Sequence, residues 1–161
     1  MILFITRKTI NGQFSIQKIF RLISSNFNDS RIIEMPFKST FLGVFANSIF
    51  IIFLRFRHNS KTIFHVTGDV HYLCIFLPYS RSILTIHDLY GARNFNGIKR
   101  LYFNLLWIYL PIRSVKYITT PSILIKRQIN ILIKLNKSTI IEVIENPILY
   151  EENSSCGNYK K

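Results

Sequence analysis

The stretch FHVTGDVHY (64–72) is followed closely by SILTIHDLYG (82–91). Each is an apolar run that stops at polar residues: Thr67, Gly68, Asp69 and His71 after the first, His87 and Asp88 after the second. Short apolar runs closed by turn formers read as strands buried on both faces, the pattern of a parallel sheet. Three of the four histidines of the chain fall in these two segments.

Working outward, the same grammar repeats. ILFIT (2–6) reads as a strand that ends in a loop carrying Arg7, Lys8, Asn11 and Gly12. Ile16, Ile19, Phe20, Ile23 and Phe27 follow helical spacing, with Gln17, Lys18, Arg21, Ser24 and Ser25 on the other face, so an amphipathic helix is expected there. RIIEM (31–35) is a second strand, ended by Pro36. Residues 39–56 are a long apolar helix. TIFHV (62–66) and SILTIH (82–87) are strands, with a short helix over 69–77 that Asp69 would cap. An aromatic helix over 98–110 should stop at Pro111. VKYIT (115–119), a Ser122-capped helix to Leu135, and TIIEVI (139–144) complete the series. Strict alternation of strand and helix predicts an α/β fold: one Rossmann-like domain over 1–148, its mostly parallel sheet covered by helices on both faces. Residues 149–161 read as a polar tail.

Composition narrows the function. The 161-residue chain is 48% apolar and carries a formal charge of +13 from 21 Lys and Arg against 8 Asp and Glu. Such an excess attracts polyanions, but the cations are scattered, unlike a nucleic-acid arm. TFLGVFANSIFIIFL (40–54) contains Asn47 and Ser48 and is shorter than the ~20 residues of a spanning helix. It reads as a buried helix, with a membrane-surface helix as the alternative. The start of the chain lacks the charge order of a secretory signal. Cys74 and Cys156 have no metal-ligand spacing, nor do His65, His71 and His87, so no metal is expected. His65, inside a strand, reads as structural. His87, at a strand end beside an acid, is the candidate functional imidazole. No phosphate-binding glycine loop and no nucleophile elbow is present.

HVTGDVHYLCIFLP, SILTIHDLYG, GIKRLYFNLLWIYLPIRSVKYITTPS and IIEVIENPI, in this order, resemble the amino-terminal half of the family 4 retaining glycosyltransferases, the bacterial GT-B enzymes that build O-antigen, capsule and other surface polysaccharides. The resemblance covers about residues 1–148; TIHDL together with ENP carries it. It implies an acceptor-binding domain in which His87 matches the catalytic histidine of the HD motif. Thr67, Gly68, Asp69, His71 and Asp88 would line the acceptor side, and Asn11 and Gly12 the loop bordering the donor phosphates. Asn146 and Pro147 would open the interdomain hinge. It further implies a nucleotide-sugar donor, no other cofactor, a lipid-linked glycan acceptor and a place on the inner, anionic surface of the cytoplasmic membrane. In that family a second Rossmann domain follows the hinge and grips the donor through Glu-x7-Glu. Here 14 residues follow Pro147, and Glu145, Glu151 and Glu152 lack that spacing. The expectation is therefore a truncated or split transferase, inactive alone and completed by a separate donor-binding chain, since transfer needs donor and acceptor held together. The alternative is a non-catalytic accessory module that binds a lipid-linked glycan or a partner transferase.

Overall fold

A computed structural model describes residues 1–9, 15–89 and 95–147. Asn11 and Gly12 lie outside the described residues.

Six strands form one sheet: β1 (Ile2–Thr6), β2 (Ser30–Glu34), β3 (Ile63–Val66), β4 (Ser82–Thr85), β5 (Tyr117–Thr120) and β6 (Ile140–Val143). Their order is β2-β1-β3-β4-β5-β6, and every neighbouring pair is parallel. The domain is thus α/β and Rossmann-like, with a fully parallel sheet. All six strands were legible as apolar runs, displaced by no more than two residues at either end. The helices are α1 (Ser15–Ser25), α2 (Phe41–Arg57), α3 (Gly97–Phe103), α4 (Leu110–Arg113) and α5 (Ile123–Leu132), with 3-10 turns at His71–Phe76 and Tyr79–Arg81.

Chain direction decides which face each helix covers. From β1 the chain steps outward to β2, then reverses over β1 to β3 and continues one way to β6. Right-handed crossovers put helices on opposite faces for opposite directions of travel. Accordingly, Phe4 packs with Ile19 and Phe20 of α1 on one face. Leu3, Ile5, Phe64, Val66, Leu84 and Ile118 pack on the other, against residues of α2, α4 and α5. Both faces carry helices, as expected, but the cover is unequal. Among the described helices only α1 lies on the first face, and it sits over β1 and β2. Beyond it no described helix covers that face, and Ile63, Ile140 and Ile144 are exposed.

Two helices depart from expectation. Asp69 caps nothing: the turn after β3 is a 3-10 helix whose N-cap position is Val70. Nor does Pro111 end the aromatic helix. Residues Asn104–Tyr109 widen into π geometry, where the Leu110 N–H reaches back to the Leu105 carbonyl, and α4 then runs through Pro111 to Arg113. A proline has no N–H for the carbonyl four residues earlier and crowds it. Widening the turn relieves that crowding, and the carbonyl concerned, that of Trp107, accepts instead from His71.

α2 inverts the usual pattern. Thr40 caps it, accepting from the Gly43 N–H at 3.2 Å. Its buried face includes Asn47 and Ser48. Asn47 accepts from the Phe37 N–H (3.2 Å) and donates to the Phe37 carbonyl (2.9 Å) and to the Tyr72 hydroxyl (3.0 Å). Ser48 donates to the Val44 carbonyl. The helix buries polar groups that are satisfied, and turns phenylalanines to solvent. The long apolar run is therefore buried along one side only. Among the described residues, no helix is long and apolar enough to cross a membrane.

Candidate functional site

In an open parallel sheet, groups after the carboxyl ends of the strands share one rim, and ligands bind where the strand order reverses. Here that point lies between β1 and β3. β3 and β4 are neighbours, so the segments 67–71 and 87–89 meet at this rim, beside residues 7–9 after β1.

Gly68 has φ +71°, which lets the chain turn sharply off β3. Thr67 is fully buried; its N–H and hydroxyl both donate to the Ile5 carbonyl, extending the β1–β3 pairing by one residue. The Asp69 carboxylate accepts from Arg7 Nη1 at 2.8 Å. Its backbone carbonyl accepts from the Trp107 indole at 3.1 Å. His71 is buried, and its Nδ1 lies 2.9 Å from the Trp107 carbonyl. That carbonyl can only accept, so Nδ1 carries the proton and Nε2 of the neutral ring holds the lone pair. Burial lowers the His71 pKa, opposed by its bond to Trp107 and by the charges of Asp69 and Asp88. Asp69, His71, Asp88, Leu89, Phe103, Trp107 and Ile108 surround a cavity of about 40 Å³.

His87 faces the other way, toward α1, where its ring meets Phe20 edge-on at 6.1 Å. Its Nε2 is buried and has no hydrogen-bond partner among the described residues. Burial lowers its pKa, and His71 adds to this, while Asp88 and Asp69 oppose it. His87 is thus a neutral imidazole at neutral pH, with one ring nitrogen uncommitted among the described residues. Gln17 of α1, one turn before Phe20, donates toward the Arg7 carbonyl and Thr9 Oγ1, both at 3.3 Å. Its Oε1 is likewise buried without a partner. Two unpartnered buried polar atoms therefore belong to the α1 side of the rim.

The open sheet face holds a second polar feature. His65 Nε2 lies 2.7 Å from Thr85 Oγ1, which lies 2.7 Å from Thr119 Oγ1, a chain across β3, β4 and β5. Burial, with a smaller contribution from His87, lowers the His65 pKa to about 4. These three line a groove of about 290 Å³, together with Glu145, Asn146 and Pro147. His65 is thus hydrogen-bonded within the sheet, through Thr85.

The structure therefore brings Asp69, His71 and Asp88 to one cavity and sets His87 on the α1 side of the same rim. Thr67 is bound into the sheet, and Asn146 and Pro147 border the sheet-face groove. Sequence reasoning missed Trp107, Gln17, Thr85 and Thr119. The signal for Trp107 was Pro111, which by its spacing frees the Trp107 carbonyl; for the threonines it was polar residues inside apolar strands. Among the described residues no three His, Cys, Asp or Glu are grouped to hold a metal. No family model, curated protein or solved structure matches the chain.

Proposed function

We propose that this domain is the acceptor-side half of a sugar-transferring enzyme of the GT-B type, working on a glycan carried by a lipid diphosphate, with the donor held by a second domain or chain. The observation that carries this reading is His87: a neutral imidazole at the carboxyl edge, next to the strand-order reversal, with a buried ring nitrogen that has no hydrogen-bond partner among the described residues. Such a nitrogen, in the tautomer that leaves it unprotonated, accepts a hydrogen bond from a sugar hydroxyl and, as a base, takes its proton. Arg7, in the loop after β1, places a cation at the same rim, where it is paired with Asp69. The TIHDL and ENP segments support the same reading.

The test is saturation-transfer NMR of the full chain with a sugar diphosphate that has no lipid attached. Sugar protons should receive saturation from the protein, and His87→Ala should abolish the effect while the fold persists. No transfer to the sugar, or transfer unchanged by His87→Ala, overturns the reading. Binding retained on joining a donor domain, but without turnover, would assign the accessory-module role instead.

A further inference from the structure

The exposed side of α2 is apolar from end to end. Phe41, Leu42, Phe45, Phe53 and Phe56 are between 66% and 78% exposed. Together they mark a stripe of about 22 Å, at 1.5 Å per residue. α3 extends it: the Phe41 and Tyr102 rings lie 6.3 Å apart, and Ile98 is 85% exposed. Two hollows of about 570 and 410 Å³ open on this surface, and both are lined by Phe41 and Tyr102. A contiguous apolar surface of this kind requires a cover. α2 cannot gain one by rotating, because Asn47 ties its inner side to Phe37 and Tyr72.

Charge selects the cover. Lys38, Arg55, Arg57, Lys99 and Arg100 are exposed around the stripe. No Asp or Glu occurs between Glu34 and Asp69, between Asp69 and Asp88, or between Asp88 and Glu142, the segments that supply this surface. Arg55 donates to the Phe76 carbonyl and lies over the Phe56 ring, so its charge meets no carboxylate there. A second copy docked on this face would bring like charges together. A leaflet of anionic lipid supplies both an apolar interior for the phenylalanines and negative headgroups for the rim.

We infer that the α2–α3 face is a membrane-docking surface: α2 lies in the plane of an anionic bilayer, phenylalanines inserted, basic residues at the headgroups. α2 is too short to cross a hydrocarbon core of ~30 Å and lies flat instead. This stands apart from the sugar-transfer reading, which concerns the rim.

The experiment is flotation of the full chain with glycan-free vesicles, either phosphatidylcholine alone or an equal mixture with phosphatidylglycerol. The chain should float with the mixed vesicles and much less with the neutral ones. Phe45→Ser with Phe53→Ser should lower the bound fraction at least about tenfold, from the apolar area withdrawn. Its unfolding midpoint should stay unchanged, because both side chains are exposed. Arg55→Gln with Lys99→Gln should weaken the preference for anionic vesicles. Absence of flotation, or flotation indifferent to the phenylalanine variant, overturns the inference. A concentration-dependent dimer in sedimentation, lost in that variant and without flotation, overturns it in favour of a second copy.

Discussion

Trp107 and His71 hold each other in place. The Trp107 carbonyl accepts from His71 Nδ1 at 2.9 Å, and the Trp107 indole donates to the Asp69 carbonyl, two residues before His71. The turn after β3 is thus stapled to the π-helical segment, four residues before Pro111.

That relationship predicts a coupling. His71→Leu leaves the Trp107 carbonyl buried without its donor, at a cost of about 1–3 kcal/mol. In a Pro111→Ala background the backbone N–H of residue 111 can serve that carbonyl, so His71→Leu should cost less there. Urea unfolding of the two single variants and the double variant measures the difference; strict additivity would dissolve the link.

Acid should destabilise the domain through its histidines. Burial lowers the pKa values of His65, His71 and His87. Below about 6.5 the unfolded chain binds protons that the folded chain refuses, so stability falls with pH. The contribution of His65 is fully present above about pH 6.5 and is lost progressively down to its folded value of about 4. It amounts to about 3 kcal/mol in total. Denaturant unfolding across this range should show the decline, and His65→Gln should make it shallower. A flat profile would mean that the histidines charge freely in the folded state.

The Arg7–Asp69 pair should matter more for charge than for stability. Asp69 is largely exposed, and such pairs contribute about 0–1 kcal/mol. Asp69→Asn should therefore leave the unfolding midpoint nearly unchanged. It should lower the pKa values of both His71 and His87 further, because the Asp69 charge raises each of them. NMR titration of the imidazole protons reads this directly.

Two glycines should fail for different reasons. At Gly68 an added Cβ meets nothing within 4 Å, so only the positive φ opposes it. Gly68→Ala should cost about 1–2 kcal/mol, and Gly68→Asn less, since asparagine tolerates that conformation. At Gly43 a Cβ would strike the Lys38 backbone carbonyl. Gly43→Ala should cost about 1–3 kcal/mol by forcing the start of α2 to move, and Gly43→Asn at least as much. Thermal unfolding of the four variants separates strain from collision.

Much of this molecule was legible one residue at a time. Buried parallel strands must be apolar throughout, so the runs at 2–6, 62–66 and 82–87 announced themselves, and the polar residues that stop them announced the rim. Ser122 was readable as a cap because a helix start leaves N–H groups that a short hydroxyl can take; it accepts from the Ile125 N–H. Local chemistry determined these features, and the sequence alone was enough for them.

What only the tertiary structure decided was where groups distant in the chain come to lie. The orientation of His87 toward Phe20 and of His71 toward Trp107 depends on which face of the sheet each element reaches, and no spacing within either segment specifies that. Pro111 reads locally as a stop; it became a passage because a histidine 40 positions earlier serves the carbonyl it leaves free. The apolar run 40–54 reads as a buried helix, with a membrane-surface helix as the alternative. Packing buried only its Asn47 side, because the reversal of direction at β1 fixes how many helices share each face of the sheet, and the phenylalanines were left pointing outward.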